Sequence, residues 1–347
     1  MKLTCITWSS RLFHEMFHDK IENKNRNKQK QKIKNRKKKK KTNKQTNKKN
    51  KEMLEIKPLA FDSFGVRSMA TFVESSDIRI LIDAGVSLAP LRYNLAPHQI
   101  EEKRMKELWS EIVEVAEDAD VLIVTHYHYD HYNPQNPEIY RDKVVYVKDP
   151  AYNINKSQHE RAEYFIEMLK GVPRSLETAD GHEFRHGSTT IKFSNAVFHG
   201  TDRRLGFVVE VCIACGGEKF VYTSDVEGPS LEEQVSFVLS ASPDVVFVDG
   251  PMTYMLGYRY SKRSLERSIE NLKRIVDVAK KVVIDHHLLR DLNYRERIAD
   301  VYAYASDKNA EVLTAAEFAG RPIEMLEARR KELYEQDRQH PGLHKTG

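Results

Sequence analysis

Val121-Leu-Ile-Val-Thr-His126-Tyr-His128-Tyr-Asp130-His131 is the most informative run of this chain. It begins with the apolar residues of a buried strand, and three histidines and an aspartate follow where the chain leaves the sheet. Because successive side chains alternate in extended chain, we expect His126, His128 and Asp130 on one side and a turn after Asp130 that brings His131 beside them. Neutral imidazoles and a carboxylate suit zinc or another borderline divalent ion. The run therefore predicts a metal site at a sheet edge.

The rest of the chain alternates short segments rich in Val and Ile with amphipathic helical segments, which is typical of a layered α/β protein. The predicted strands span residues 70–73, 78–83, 121–125, 144–147, 190–193, 206–213, 220–223, 245–248 and 282–285. The predicted helices span residues 97–118, 157–170, 230–239, 262–280, 294–307 and 315–335.

A hairpin is predicted over residues 206–223, because Cys215-Gly-Gly-Glu218 supplies a turn that tolerates positive φ. Cys212 and Cys215 form a lone C-x-x-C pair. Since a zinc site of this type needs a second pair, we expect Cys212 to pack in the strand and Cys215 to belong to the turn.

Charge divides the chain into two parts. The formal net charge of the 347 residues is +5, but residues 1–52 hold 19 basic and 4 acidic side chains, and the remaining 37 basic and 47 acidic side chains leave residues 53–347 at −10. Residues 21–51 are almost entirely Lys, Asn, Gln and Arg, so residues 1–52 are expected to be a disordered tail. The tail could bind nucleic acid, or it could be translated A-rich and T-rich DNA preceding a natural start at Met53.

Composition excludes some settings. No apolar run approaches the roughly 18 to 20 residues that cross a bilayer, so no membrane partner is expected. Three cysteines in 347 residues cannot form a disulfide framework. These features favour a reducing, cytoplasmic setting.

The H-x-H-x-D-H motif at 126–131 resembles the metal-binding signature of the metallo-β-lactamase superfamily. Asp83 at a strand end, His199 in Ala-Val-Phe-His-Gly, Asp225 in Val-Tyr-Thr-Ser-Asp and Val282-Val-Ile-Asp-His-His287 resemble its other motifs, in order. The segments GVRSMATFVE and DHHLLRD resemble an uncharacterised archaeal branch of it. The resemblance implies that residues 53–347 form a single hydrolase domain, an α/β protein with the four-layer αββα sandwich.

The resemblance also implies a dinuclear ligand set. His126, His128 and His199 would hold one ion, Asp130, His131 and a late histidine would hold the other, and Asp225 would bridge them. His286 is preferred as the late ligand, since it follows its strand as His126 follows Thr125, and His287 stays open. Asp130 and Asp83 are the catalytic candidates: Asp130 would position the attacking hydroxide, and Asp83 would orient a ligand by hydrogen bonding.

The reaction expected from two such ions is hydrolysis of an ester-type bond by metal-bound hydroxide. Three departures from the patterns of known branches narrow the class. Position 128 is His where flavodiiron members have Glu, which disfavours their redox reaction, and Asp225 stands where β-lactamases have Cys, which disfavours antibiotic hydrolysis. The spacing of Asp225 and His286 leaves no room for the cap domain of one nuclease branch. Zinc is the expected metal, with iron or manganese as alternatives. Two other functions stay open: an iron-dependent oxidoreductase, and a non-catalytic nucleic-acid-binding metalloprotein.

Arginine and tyrosine near the motifs suggest an anionic substrate, either a small molecule or a nucleotide-like phosphodiester. The substrate-binding candidates are Arg259, Tyr258 and Arg203, with Tyr254, Tyr260, Arg204 and Arg290 nearby in sequence. Ordinary packing or surface roles are equally compatible with these residues. The sequence predicts no oligomeric state.

Overall fold

The structure is a computed structural model that describes residues 54–339. The predictions for residues 1–52 and for a start at Met53 fall outside the described residues. The strands are β1 Glu55–Pro58, β2 Thr71–Glu74, β3 Arg79–Ile82, β4 Val121–Val124, β5 Val144–Val147, β6 Ser175–Thr178, β7 Glu183–His186, β8 Thr189–Phe193, β9 Val197–Phe198, β10 Phe207–Val208, β11 Val211–Cys215, β12 Glu218–Tyr222, β13 Val245–Asp249, β14 Lys281–Asp285 and β15 Glu311–Leu313.

These strands form two large sheets and one small pair. The first sheet has the order β1-β2-β3-β4-β5-β6, in which the strands from β3 to β6 run parallel. The second has the order β15-β14-β13-β12-β11-β8-β7, in which the strands from β12 to β15 run parallel. β9 and β10 pair with each other. Each large sheet is thus mixed, and its parallel part needs helical crossovers.

The helices are α1 Gln99–Asp118, α2 Lys156–Met168, α3 Glu233–Ala241, α4 Lys262–Val278, α5 Tyr294–Arg297, α6 Ala299–Asp307, α7 Ala315–Phe318 and α8 Arg330–Gln339. Sequence periodicity explains the packing of the longest one: Leu108, Trp109, Ile112 and Ala116 of α1 form one buried stripe. This stripe, together with Ala162 and Phe165 of α2, packs with the first sheet.

Alternation along the second sheet gives it two apolar faces. Phe220 and Tyr222 of β12 pack in the core that also contains the first sheet, whereas Val221 packs in a separate core. That separate core also contains Leu272 of α4 and Val301 of α6. Helices, sheet, sheet and helices therefore stack as an αββα sandwich, which confirms the predicted fold class. None of the helices within residues 54–339 has the length and apolar character needed to cross a bilayer.

Three predicted elements are wrong in their extent. The predicted strand 206–213 is two strands, because Val209 N donates to Thr125 O (3.1 Å) between β10, which pairs with β9, and β11, which pairs with β8. The predicted helix 294–307 breaks at Ile298, whose φ of −120° is not helical. The predicted helix 315–335 stops after Phe318, since Gly320 takes a φ of 63° and Pro322 follows.

The hairpin prediction is confirmed for residues 211–222. β11 and β12 pair antiparallel, and Gly216 and Gly217 between them have φ values of 59° and 89°. Cys212 is buried in β11, as predicted, and Cys215 is the last residue of that strand, directly before the turn. The strands that the sequence did not indicate are short and lie at sheet edges or carry polar side chains: β1, β6, β7, β9 and β15.

Topology gathers the polar motifs. The carboxyl ends of parallel strands meet at one edge of each sheet, and both edges are rich in histidine and aspartate. The residues that end or follow these strands are Asp83 after β3, Thr125 and His126 after β4, Ser224 and Asp225 after β12, Asp249 at the end of β13, and Asp285, His286 and His287 after β14.

Candidate metal centre

The loop after β4 folds more tightly than the sequence suggested. Extended chain through Asp130 was expected, but His131 N donates to His128 O (2.9 Å), so the turn already begins at His128. The prediction of an extended segment is therefore wrong. The turn separates the loop into two pairs of side chains: His126 and His128 face one group of polar atoms, and Asp130 and His131 face another.

The first group contains His126, His128, His199 and Asp225, and each residue offers an atom within 4.8 Å of those offered by the others. Nε2 of His126 lies 3.5 Å from Oδ2 of Asp225, and Nε2 of His199 lies 3.4 Å from the same oxygen. The His128 ring is 4.7 Å from the His126 ring and 4.7 Å from the His199 ring, between centroids. Three imidazoles and one carboxylate oxygen thus converge on one point, a donor set typical of zinc.

The second group contains Asp130, His131, Asp225 and His286, within the same 4.8 Å limit. Here the other oxygen of Asp225 is used: Oδ1 lies 3.0 Å from Nε2 of His131 and 3.3 Å from Nε2 of His286. Nε2 of His286 also lies 3.8 Å from Oδ2 of Asp130. Asp225 therefore has one oxygen in each group.

The donor atoms of these groups fit cations. Nε2 of His126, His131 and His199 and Oδ1 of Asp225 are buried and have no hydrogen-bond partner among the described residues. Buried polar atoms normally have partners, and imidazole nitrogens and a carboxylate oxygen that face one another without hydrogen bonds form a set of electron-pair donors that suits divalent cations. The residues present therefore fit the pair of divalent ions that the sequence motifs suggested.

Electrostatics within the cluster are strongly coupled. Burial and the neighbouring His131 lower the pKa of His126 to about 4. Burial acts in the same direction on His131, but Asp225 and Asp83 outweigh it and raise the pKa of His131 to about 10. Although Asp225 is buried, the facing imidazoles of His131, His286 and His126 hold its pKa well below its usual range. Asp225 is thus held as a carboxylate at the centre of the cluster.

Asp83 lies beside the cluster and forms a further group of possible ligands with His126 and His131. Its Oδ2 accepts from Nδ1 of His131 (2.8 Å), from the Thr125 hydroxyl (2.6 Å) and from the Tyr222 hydroxyl (2.8 Å), while Oδ1 accepts from Thr125 N (2.8 Å). The carboxylate is fully buried. Its place in the fold is that of a positioning group, since it fixes the His131 ring with Nε2 turned towards Asp225.

The two late histidines point to different partners. Nε2 of His286 faces Asp225, whereas Nδ1 of His287 lies 2.9 Å from Oδ2 of Asp249 and 3.0 Å from Oδ1. His287 falls in another group of possible ligands, with Asp249 and His286. The geometry therefore favours His286 over His287 as the partner of Asp130 and His131.

Other carboxylates, which the sequence reasoning did not assign, contact the outer nitrogens of the histidines. Oδ2 of Asp62 lies 2.8 Å from Nδ1 of His286, which also lies 3.1 Å from Ser68 O. Oε1 of Glu227 lies 3.7 Å from Nδ1 of His199. Asp249 follows an apolar strand as Asp83 and Asp285 do, and that strand-terminal position is the signal that could have identified it.

Four of the non-glycine residues with left-handed backbone lie at the cluster. Asp83, Ser224, Glu227 and His286 take φ values of 52°, 58°, 51° and 58°. Non-glycine residues in this region cost about 1–3 kcal/mol each, and they persist where the surrounding structure determines them fully. The strain follows from the need to turn side chains inwards directly at the strand ends.

The predicted substrate-binding residues lie at the surface. Tyr258 is 84% exposed, and Arg259 and Arg203 are exposed. None of the hydrogen bonds or ion pairs of residues 54–339 joins these three side chains to the histidine cluster, and their role in binding stays a prediction. Arg290 is instead buried beside the second group: its Nη2 lies 3.1 Å from Nε2 of His286 and 4.0 Å from Oδ2 of Asp130.

Comparison with known proteins agrees with this architecture. A family model described as the beta-lactamase superfamily domain matches residues 78–287, which spans the strands and loops that carry the cluster. The chain belongs to this superfamily and, within it, to the UPF0282 proteins. The UPF0282 protein of Korarchaeum cryptofilum (strain OPF8) is 56% identical over 283 residues, 81% of this chain and 95% of the relative. That of Metallosphaera sedula is 48% identical over 289 residues, 82% of this chain and 94% of the relative.

The archaeal relatives confirm the branch that the flanking motifs suggested. Among solved structures, the metallo-beta-lactamase fold protein YhfI of Bacillus subtilis has a TM-score of 0.47 and 15% identity, covering 76% of this chain and 96% of its own. Zn(2+)-bound PqqB from Methylobacterium extorquens has a TM-score of 0.48 and 12% identity, covering 76% of this chain and 98% of its own.

Proposed function

We propose that this protein is a dinuclear metal-dependent hydrolase of an anionic ester, with a phosphodiester as the favoured substrate and zinc as the favoured metal. One observation carries the proposal: Asp225 presents one carboxylate oxygen to each of two histidine-rich groups. A carboxylate with this placement suits two cations better than one. His126, His128 and His199 would hold one ion, and Asp130, His131 and His286 would hold the other.

When bound, a pair of divalent ions lowers the pKa of a shared water and polarises the ester oxygen. The chain supplies the rest. Asp130 is only partly buried and faces the open side of the cluster, where its carboxylate can accept a hydrogen bond from the attacking water. Asp83 and Asp62 keep the rings of His131 and His286 from rotating, because each lies 2.8 Å from the outer nitrogen of its histidine.

Charge supports an anionic substrate. Arg290 is 3% exposed and lies beside His286 and Asp130, and its Nε donates to Oδ1 of Asp62 (2.8 Å). A buried guanidinium at this place can stabilise negative charge that develops on a phosphoryl or carbonyl oxygen.

The decisive experiment combines elemental analysis with a substrate panel. Full-length protein is purified without added metal, its zinc, iron and manganese are counted, and the zinc-loaded protein is tested on ester, lactone, thioester and phosphodiester substrates. We expect about two ions per chain and turnover of a phosphodiester. The Asp225→Ala variant, which removes the shared carboxylate, should lose both ions and the turnover.

Other results would overturn the proposal in recognisable ways. Two iron ions together with oxygen consumption would indicate an oxidoreductase on the same fold. Full metal content without turnover, together with salt-dependent nucleic-acid binding that is lost on deletion of residues 1–52, would indicate a binding protein.

A further inference from the structure

Three arginines lie close to one another near His286, and one of them contacts the second group. Arg290 contacts His286 directly, with Nη2 3.1 Å from Nε2. Arg92 donates from Nη2 to the backbone oxygen of Arg290 (3.0 Å). Arg67 donates from Nε and Nη2 to the two oxygens of Glu327 (2.5 and 2.7 Å). Arg290 thus lies between Arg92 and the candidate ligand His286.

Two of the three arginines are neutralised and one is not. Glu327 takes both bonds of Arg67, and Asp62 accepts from Nε of Arg290 (2.8 Å). Within residues 54–339, no carboxylate oxygen lies within the 4.0 Å ion-pair distance of Arg92. Its Nε is buried and has no hydrogen-bond partner in this part of the chain. Arg92 is therefore a cation without a carboxylate partner among these residues. Its Nη2 also lies 3.5 Å from the Tyr93 hydroxyl and its Nε is enclosed, so the hydrogens of Nη1 are the donors left for an anion.

Aromatic stacking holds the Arg92 guanidinium in place. Its carbon lies 4.7 Å from the centroid of the Tyr93 ring and 4.6 Å from that of Tyr254. The Tyr93 hydroxyl donates to Ala328 O (3.1 Å), so this ring is fixed in turn. A planar, fixed fork suits bidentate recognition of phosphate or carboxylate at little entropic cost. Leu91 and Tyr93 are 66% and 48% exposed and Arg92 is partly exposed, so the stack lies at the surface.

We propose that Arg92 is a specificity-determining residue that binds a second anionic group of the substrate, a phosphate or a carboxylate located away from the bond that is cleaved. This inference rests on the proposed hydrolase function, because it places the scissile bond at the Asp225 cluster. It extends that function by selecting substrates with two separated negative groups over singly charged esters. Arg290, between Arg92 and His286, lies along the path that joins the two anionic groups.

The test measures binding rather than turnover, on the full-length zinc-loaded protein. Calorimetry gives the affinity for inorganic phosphate and, separately, for acetate, in the wild type and in Arg92→Ala and Arg92→Lys. Arg295→Ala is the matched control, since Arg295 also stacks between two tyrosines (5.6 and 5.3 Å) but is paired with Glu317. Zinc content and thermal unfolding are recorded for each variant.

We expect Arg92→Ala to weaken the binding of at least one probe by about 10- to 100-fold, as loss of a charged hydrogen-bond pair predicts. Arg92→Lys should recover only part of it, because lysine lacks the fork, and Arg295→Ala should bind normally. A loss confined to phosphate, or to acetate, identifies which anion the subsite prefers.

Equal binding by the wild type and by folded Arg92→Lys and Arg92→Ala would overturn the inference, since phosphate would then be held by the cluster alone. A wild type that binds no zinc would contradict the proposed function instead. The Arg92 comparison can still be made in that case, because anion binding by the stack does not need turnover.

Discussion

Oδ2 of Asp83 accepts a hydrogen bond from Nδ1 of His131 across 48 residues of chain, at 2.8 Å. The same oxygen accepts from the Thr125 and Tyr222 hydroxyls, so the carboxylate cannot turn away from the ring. The His131 ring is held with Nε2 towards Asp225, before any cation binds. The candidate site is thus preorganised from below by a residue that makes no contact with Asp225 itself.

Asp83→Asn should weaken metal binding while leaving the fold intact. The amide keeps the size of the carboxylate but loses its charge and one acceptor, and loss of such an outer carboxylate typically costs about 10- to 100-fold in metal affinity. Competition against a chromophoric chelator measures this. Asp120→Asn is the control, because Asp120 accepts from Arg79 N (3.0 Å) at the opposite end of β3. Equal affinity in Asp83→Asn and in the wild type would show that Asp83 has no positioning role.

The fold and the centre of the site could be predicted because their signals are local in sequence. His126, His128, Asp130 and His131 lie within six consecutive positions, so their proximity in space can be inferred without tertiary information. Strands such as β13 and β14 are buried on both faces, so they show as continuous apolar runs.

The outer parts of the site could not be predicted because they depend on tertiary packing. Asp62 meets Arg290 across 228 residues, and nothing around Asp62 marks it as different from any other loop aspartate. Arg92 is held in place by stacking on Tyr254 and by a hydrogen bond to Arg290, and both residues lie near it only in the folded chain. Short edge strands such as β6 lack apolar periodicity. They form because a neighbouring strand, here β5, supplies their hydrogen bonds, and that neighbour is known only from the folded structure.

The two late histidines should differ in metal content. His286→Ala removes an atom that lies 3.3 Å from Oδ1 of Asp225, and it should lower the zinc content by about one ion per chain. His287→Ala should keep both ions, because the ion pair of His287 is with Asp249, and none of the ion pairs of residues 54–339 joins it to Asp225 or Asp130. Elemental analysis of the two variants decides the assignment. The reverse pattern would make His287 the ligand and would place Asp249 beside the cation.

Glu101 and Arg330 should be the most sensitive ion pair outside the site. Both are fully buried, and Nε and Nη2 of Arg330 donate to the two oxygens of Glu101 (2.7 and 2.8 Å), which fastens α8 to α1. Glu101→Ala leaves a buried guanidinium unpaired, so we expect a loss of about 3–5 kcal/mol in the free energy of unfolding.

Urea denaturation measures the loss of stability in Glu101→Ala, and the control is Glu107→Ala, a substitution on the same helix. Glu107 pairs with Arg104, and these side chains are 48% and 32% exposed. Glu107→Ala should cost no more than about 1 kcal/mol, because solvent screens exposed pairs. Similar losses in the two variants would show that the buried pair adds nothing beyond an ordinary surface contact.

Glu210 should make the folded state less stable as the pH rises. It is fully buried, its two oxygens have no hydrogen-bond partner in residues 54–339, and burial raises its pKa well above the ordinary value of 4.5. Above about pH 4.5 the unfolded chain releases a proton that the folded chain retains, so stability falls by up to about 1.4 kcal/mol per pH unit until the folded-state group also ionises. Glu210→Gln cannot ionise, so its stability relative to the wild type should increase from pH 5 to pH 8.

Glu327 should change the stability of the folded state in the opposite direction. Despite its burial, Arg67 lowers the pKa of Glu327 to about 2, so the stability that the ionised Glu327 contributes is lost only as the pH falls from about 4.5 towards 2. Urea denaturation of the wild type, Glu210→Gln and Glu327→Gln from about pH 3 to pH 8 separates the two effects, since the difference at each pH cancels any pH dependence of metal binding. A constant difference between Glu210→Gln and the wild type from pH 5 to pH 8 would mean that Glu210 does not retain its proton in the folded chain.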